Sequence, residues 1–155
     1  MLEAESADEA KRDPPRIVGL ELCSSAVADA IRNAKKNGLT IEYVVGKAED
    51  TLPDVLDTFH GGKVLAICDP PRAGLPGKMW KTLRKCRYLD NLIYVSCNAE
   101  TLVADVAKLI DKTLVETHGF PFKIEKVIGV DMFPHTEHFE TVMYLRRMTE
   151  AEFNE

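Results

Sequence analysis

The stretch IVGLELCSSAVADAIRNAKKNGLTIEYVVG, residues 17–46, decides the fold. Its ends, IVGLEL (17–22) and IEYVVG (41–46), are short runs rich in β-branched and other apolar residues, the composition of a buried strand. Between them, Ser24 or Ser25 offers a side-chain oxygen to cap a helix. The helical pattern then runs through about Asn37, and Gly38 ends it where a left-handed residue is favoured. A strand, a helix and a second strand make a crossover unit, and such crossovers are right-handed and build parallel sheets.

Working outward, VLAICD (64–69) and LIYVSC (92–97) are further strand candidates, with helices filling the gaps. Pro76 opens one helix through about Cys86, and Asn98 caps another through Ile110. The rhythm then changes. FKIEKVIGVDMF (122–133) and HFETVMYLRR (138–147) have no helix between them and read as an antiparallel terminal pair. The expectation is an α/β fold with a mostly parallel sheet closed by a C-terminal antiparallel hairpin, and any site lies at the carboxyl ends of the parallel strands. Upstream, MLEAESADEAKRDPP (1–15) is polar, charged and ends in two prolines, so it reads as a tail or linker. The folded domain is expected over 16–148, with a short C-terminal tail at 149–155.

Composition narrows the function classes. With 155 residues, 45% hydrophobic and 29% charged, the chain fits one globular domain. A net charge of −5 gives no broad positive field, so any nucleic-acid contact must be local or come from another module. The four cysteines show no CxxC pairing and no histidine at zinc-ligand spacing, and no signal-peptide core opens the chain, which together favour a reducing, intracellular compartment. No apolar run approaches the roughly 20 residues that cross a bilayer.

Three motifs fall at or just beyond expected strand ends. In DPPRAGL (69–75) two prolines stiffen a loop that presents Asp69 and Arg72 at fixed positions, which points to ligand contact rather than a simple turn. In SCN (96–98) Cys97 lies at a strand-to-helix turn, where a helix N-terminus stabilises a thiolate. Cys23, Cys68 and Cys86 lie inside expected elements and read as small buried hydrophobes. In HTEHFE (135–140) strand alternation places His138 and Glu140 on one face, a pattern suited to proton transfer and poor for a metal. A weaker signal is Glu21 at the end of the first strand, where an acid accepts hydrogen bonds from ribose hydroxyls. Lys78, Lys81, Arg84, Lys85 and Arg87 read as a solvated helix face, with phosphate contact as the alternative.

In order, DPPRAGL (69–75), SCN (96–98) and FPHTEHFE (133–140) resemble the RNA 5-methyluridine (uracil-5-) methyltransferase family, over about Ile17 to Arg147. The resemblance implies a Rossmann-like methyltransferase fold that depends on S-adenosylmethionine, with an RNA substrate, tRNA foremost. It implies that Cys97 is the nucleophile and Glu140 the general base. Glu21 then binds the cofactor ribose, Asp69 lies between cofactor and uracil, and Arg72 contacts RNA. The loop argues for uracil over its competitors. Adenine amino-methyltransferases carry an aromatic residue after the prolines, where Arg72 stands, and the cytosine-5 family needs a second cysteine after a proline in this loop.

The family's first strand and glycine-rich cofactor motif should precede IVGLEL, and nothing in residues 1–16 resembles them. The expectation is therefore the C-terminal part of a catalytic domain, with N-terminal RNA-binding domains implied elsewhere. A second reading is a non-catalytic fragment that acts as an RNA-binding or protein-interaction module.

Overall fold

The computed structural model describes residues 14–59 and 62–155, so most of the expected N-terminal tail lies outside the described residues. The chain divides into two compact units between Ala48 and Glu49.

The first unit is the crossover read from residues 17–46. Strand β1 (Val18–Glu21) pairs in parallel with β2 (Glu42–Val45), from Val18 opposite Glu42 to Glu21 opposite Val45. Helix α1 (Ser24–Lys36) connects them and buries Val27 and Ala34, two turns apart on one stripe. The cap is Cys23 rather than a serine, and its side chain makes no capping bond. Gly38, at φ 67°, ends the helix, and the amide of Leu39 returns to the carbonyl of Ala34 at 2.9 Å. Arg16 grips the Glu42 carboxylate at 2.7 and 2.8 Å, fastening the chain before β1 to β2.

Helix α2 (Ala48–Asp57) leads into the second unit, followed by β3 (Val64–Cys68), α3 (Met79–Lys85), β4 (Leu89–Ser96) and α4 (Ala99–Ile110). A 3₁₀ turn (Lys112–Leu114) and α5 (Val115–His118) precede β5 (Phe122–Val130), β6 (Glu140–Arg147) and α6 (Glu150–Phe153). The sheet order is β3-β4-β6-β5. Strands β3 and β4 are parallel, and β6 is antiparallel to both β4 and β5. The terminal pair thus forms as expected, with the last strand inserted between the two before it. Helix α3 starts at Met79, three residues later than Pro76 suggested, because Leu75 to Lys78 form turns instead. The final residues, read as a tail, carry α6, closed by a reciprocal capping box between Thr149 and Glu152. Arg146 donates to both Glu152 oxygens at 3.0 and 2.6 Å, and chiefly through this contact holds that carboxyl far below the usual carboxylate range.

One face of the four-stranded sheet is the core. Leu83, Leu89, Leu92, Tyr94, Leu109 and Leu145 have no exposed surface there. Arg84 is buried with them and Arg147 is half-buried, and both donate to backbone oxygens, although Arg84 Nε has no partner among the described residues. Arg147 donates to the carbonyls of Leu83, Arg84, Cys86, Leu89 and Phe120 within 3.0 Å. Arg84 donates to those of Lys108, Asp111 and Gly119. Arg84 is 1% exposed and so leaves the set of cations available to a phosphate, while Lys78, Lys81, Lys85 and Arg87 stay exposed. On the opposite face, register puts Leu65 and Ile67 of β3 beside Asn91 and Ile93 of β4, then Tyr144 of β6. This row is open: Leu65 is 55% and Ile67 68% exposed.

Candidate functional site

Parallel strands β3 and β4 end at Cys68 and Ser96, so the loops that follow both lie at the carboxyl edge of the sheet. Strand β6 runs the other way and begins at that edge. Its first residues, Glu140 and Thr141, therefore meet the end of β4. The last paired residues are Ser96 and Thr141, and the next positions outward are Cys97 and Glu140. Ser96 and Thr141 are both buried on the core face. Asp69 follows β3, Cys97 follows β4 and Glu140 opens β6, so all three candidates lie at one edge of the sheet, and Cys97 and Glu140 are half-buried while Asp69 is exposed.

The turn that holds Cys97 is fixed by its neighbours. Ser96 Oγ accepts from the amide of Asn98 at 3.1 Å and donates to the Asn98 carbonyl at 2.9 Å, closing a loop around Cys97. Asn98 is the N-cap of α4, as its position predicted, and its Oδ1 accepts from the Glu100 amide at 3.0 Å. Cys97 therefore stands just before the cap of a twelve-residue helix, at the positive end of its dipole. Cys68 is its opposite. It is buried, and burial pushes its thiol up to about 12, so it stays protonated at neutral pH. Cys23 departs from expectation, since it is exposed, with Sγ 3.0 Å from Ser25 Oγ.

The loop 69–75 is tied to the same helix. Asn98 Nδ2 donates to the Arg72 carbonyl at 3.1 Å, and Thr101 Oγ1 lies 3.1 Å from the same oxygen. The backbone turns at Gly74, whose amide reaches the Pro71 carbonyl at 2.8 Å with φ at 83°. The Leu75 amide then donates to Asp105 Oδ2 at 2.6 Å, and Tyr94 OH donates to that oxygen at 2.9 Å. Burial, with the Asp105 carboxylate beside it, pushes the Tyr94 phenol far above its ordinary range, so it remains a donor. The Arg72 side chain is exposed. Asp105, Thr101 and Tyr94 were not singled out in the sequence. Their signal was present in the spacing Asn98, Thr101, Asp105, which is one helical face.

One expectation changes. Strand β6 begins at Glu140, so His138 lies in the preceding loop, where its amide donates to Thr136 Oγ1 at 3.1 Å, and strand alternation does not pair it with Glu140. Glu21, in the first unit, is exposed at the end of β1, and its Oε1 accepts from the Cys23 amide at 2.7 Å.

The family model described as tRNA (Uracil-5-)-methyltransferase matches residues 49–148, which takes in all three motifs and the whole clamp around Cys97. The chain belongs to this family. The tRNA (uracil-5-)-methyltransferase homolog A of Mus musculus is 38% identical over 134 residues, 86% of this chain and 22% of the mouse protein. An uncharacterized RNA methyltransferase of Listeria innocua is 41% identical over 131 residues, 83% of this chain and 26% of that protein. Among solved structures, the Pyrococcus abyssi tRNA (uracil-54, C5)-methyltransferase in complex with S-adenosyl-L-homocysteine superposes with a TM-score of 0.65. It is 31% identical, with 84% of this chain covering 28% of the archaeal one. The chain thus spans about a quarter of the length of these relatives, and the methyltransferase fold of the archaeal structure is the one described above.

Proposed function

We propose that this chain is the part of an RNA uracil-5-methyltransferase that carries the reacting side chains, with tRNA as the substrate class and S-adenosylmethionine as the methyl donor. The observation that supports the reading is the register of β4 and β6, whose last pair, Ser96 and Thr141, leaves a cysteine just before a capped helix and a carboxylate at the same end of two paired strands. Membership in an enzyme family favours this over a non-catalytic interaction module.

Each unit carries an acid whose chemistry fits the cofactor. Glu21 Oε1 is occupied by a backbone amide, which orients the carboxylate and leaves Oε2 as an acceptor for ribose hydroxyls. Asp69 is an exposed acid after β3, stiffened by Pro70 and Pro71. When bound, S-adenosylmethionine supplies an electrophilic methyl group on a sulfonium sulfur.

The chain's own residues account for the rest. Uracil C5 is a weak nucleophile until the Cys97 thiolate forms a bond to C6, which moves the C5–C6 π electrons onto C5 and the neighbouring carbonyl. Once C5 carries a methyl group it still holds its hydrogen. Glu140 takes that proton, the electron pair re-forms the C5–C6 double bond, and the Cys97–C6 bond breaks to return the thiolate. Arg72, exposed on the rigid loop, is placed to grip a phosphate or base of the strand from which the uracil is extruded.

RNA containing 5-fluorouridine tests the scheme, because fluorine replaces the hydrogen that Glu140 removes. The expected result is a denaturation-resistant protein–RNA adduct that forms only with S-adenosylmethionine and disappears in Cys97→Ala. An adduct that survives Cys97→Ala overturns the assignment. The assay is run on this chain and on a form extended N-terminally by the matching segment of a relative.

A further inference from the structure

Nothing in the chemistry above uses Asp105, a carboxylate 4% exposed in the second unit. A buried acid costs several kcal/mol in desolvation unless it is bonded, and this one is bonded to the motif loop and to the core. Its Oδ2 takes the Leu75 amide at 2.6 Å and the Tyr94 hydroxyl at 2.9 Å, and Lys108 Nζ lies 3.4 Å from Oδ1. The loop has been shaped around it. A Cβ on Gly74 would stand 2.5 Å from Asp105 Oδ2 and 3.2 Å from Thr101 Cβ, so the glycine lets the backbone come this close.

Asp105 is also part of a series. Asn98, Thr101 and Asp105 lie on one face of α4 and its cap, and all three contact the segment 72–75. The cap of the same helix, Asn98, directly follows Cys97. We infer that α4 is a rigid ruler between the nucleophile's turn and the Asp69–Arg72 loop, and that Asp105 is the positioning residue that sets the loop's distance along it. The inference takes its purpose from the proposed roles of Cys97, Asp69 and Arg72. Its test uses neither RNA nor cofactor, so either conclusion can fall without the other.

The experiment measures amide hydrogen exchange across 69–75 and the rate of Cys97 alkylation by iodoacetamide, read by mass spectrometry, with exposed Cys23 as the internal control. In Asp105→Ala the Leu75 amide loses its acceptor, and its exchange is expected to accelerate about tenfold or more. If α4 couples loop to turn, Cys97 alkylation shifts by about threefold or more while Cys23 is unchanged. Asp105→Asn keeps an oxygen acceptor and is expected to restore both rates. Tyr94→Phe removes only the core-side bond, so it should lower stability and leave Cys97 alkylation as it was. Should Asp105→Ala not fold, Thr101→Val removes the hydroxyl shared by the Arg72 and Asn98 carbonyls and is expected to shift Cys97 alkylation with Leu75 exchange unmoved. Faster Leu75 exchange with Cys97 alkylation unchanged overturns the inference, as does a Cys97 rate that follows thermal stability across all variants.

Discussion

The two segments that bring Cys97 and Glu140 together are held in opposite ways. Around Cys97 the contacts reach far along the chain: Asn98 and Thr101 to Arg72, and Asp105 to Leu75, separations of 26 to 30 residues. The loop before Glu140 is held by itself. Asp131 takes the Phe133 amide, while Thr136 reaches the Phe133 carbonyl and receives the His138 amide, all within three residues. Residues 131–139 are exposed throughout, with Met132 at 63% and Phe139 at 48%, and His135 takes a left-handed φ of 66° without being glycine. Long-range bonds pre-organise the side of Cys97, the proposed nucleophile, whereas the side of Glu140, the proposed base, keeps its shape by local bonds that cost little to rearrange. The difference assigns precision to one partner and adaptability to the other.

Substitutions can break this contrast. Cys97→Ala removes the nucleophile and is expected to take methylation and adduct formation to background. Glu140→Gln is expected to lower turnover by roughly 10²–10⁴ while the covalent protein–RNA species accumulates, visible as a band that persists in denaturing gels. A Glu140→Gln protein that turns over normally would place the base elsewhere.

Smaller changes sharpen it through stability. Gly74→Ala forces a side chain into a left-handed position against Asp105, and is expected to cost about 1–3 kcal/mol in urea unfolding. Asn98→Ala deletes the cap of α4 and should cost about 1 kcal/mol. Thr136→Val, in the self-held loop, is expected to stay within about 0.5 kcal/mol. If Thr136→Val costs as much as Asn98→Ala, the two sides are equally fixed and the contrast fails.

Much of this was legible in the sequence because local signals and tertiary demands agree. Period and Gly38 placed the crossover at 17–46, although its helix is capped by Cys23 rather than a serine, and Asn98 was visible as a cap. Register was not visible. That β6 enters between β4 and β5, and so brings Glu140 to the same sheet edge as Cys97, depends on pairings across more than forty residues that no local pattern encodes. Arg84 reads as a surface charge because composition says nothing of the carbonyls that gather around it, and His138 was given a strand parity that the loop withholds.

The sheet order also governs how the chain is made. Strand β6 is the last to be synthesised and yet an interior strand, and Arg147 at its end ties together carbonyls from Leu83 to Phe120. Until those residues leave the ribosome, β4 and β5 each show an unpaired edge and the oxygens have no guanidinium. The second unit is therefore completed from its C-terminus, as an arch is by the stone set last.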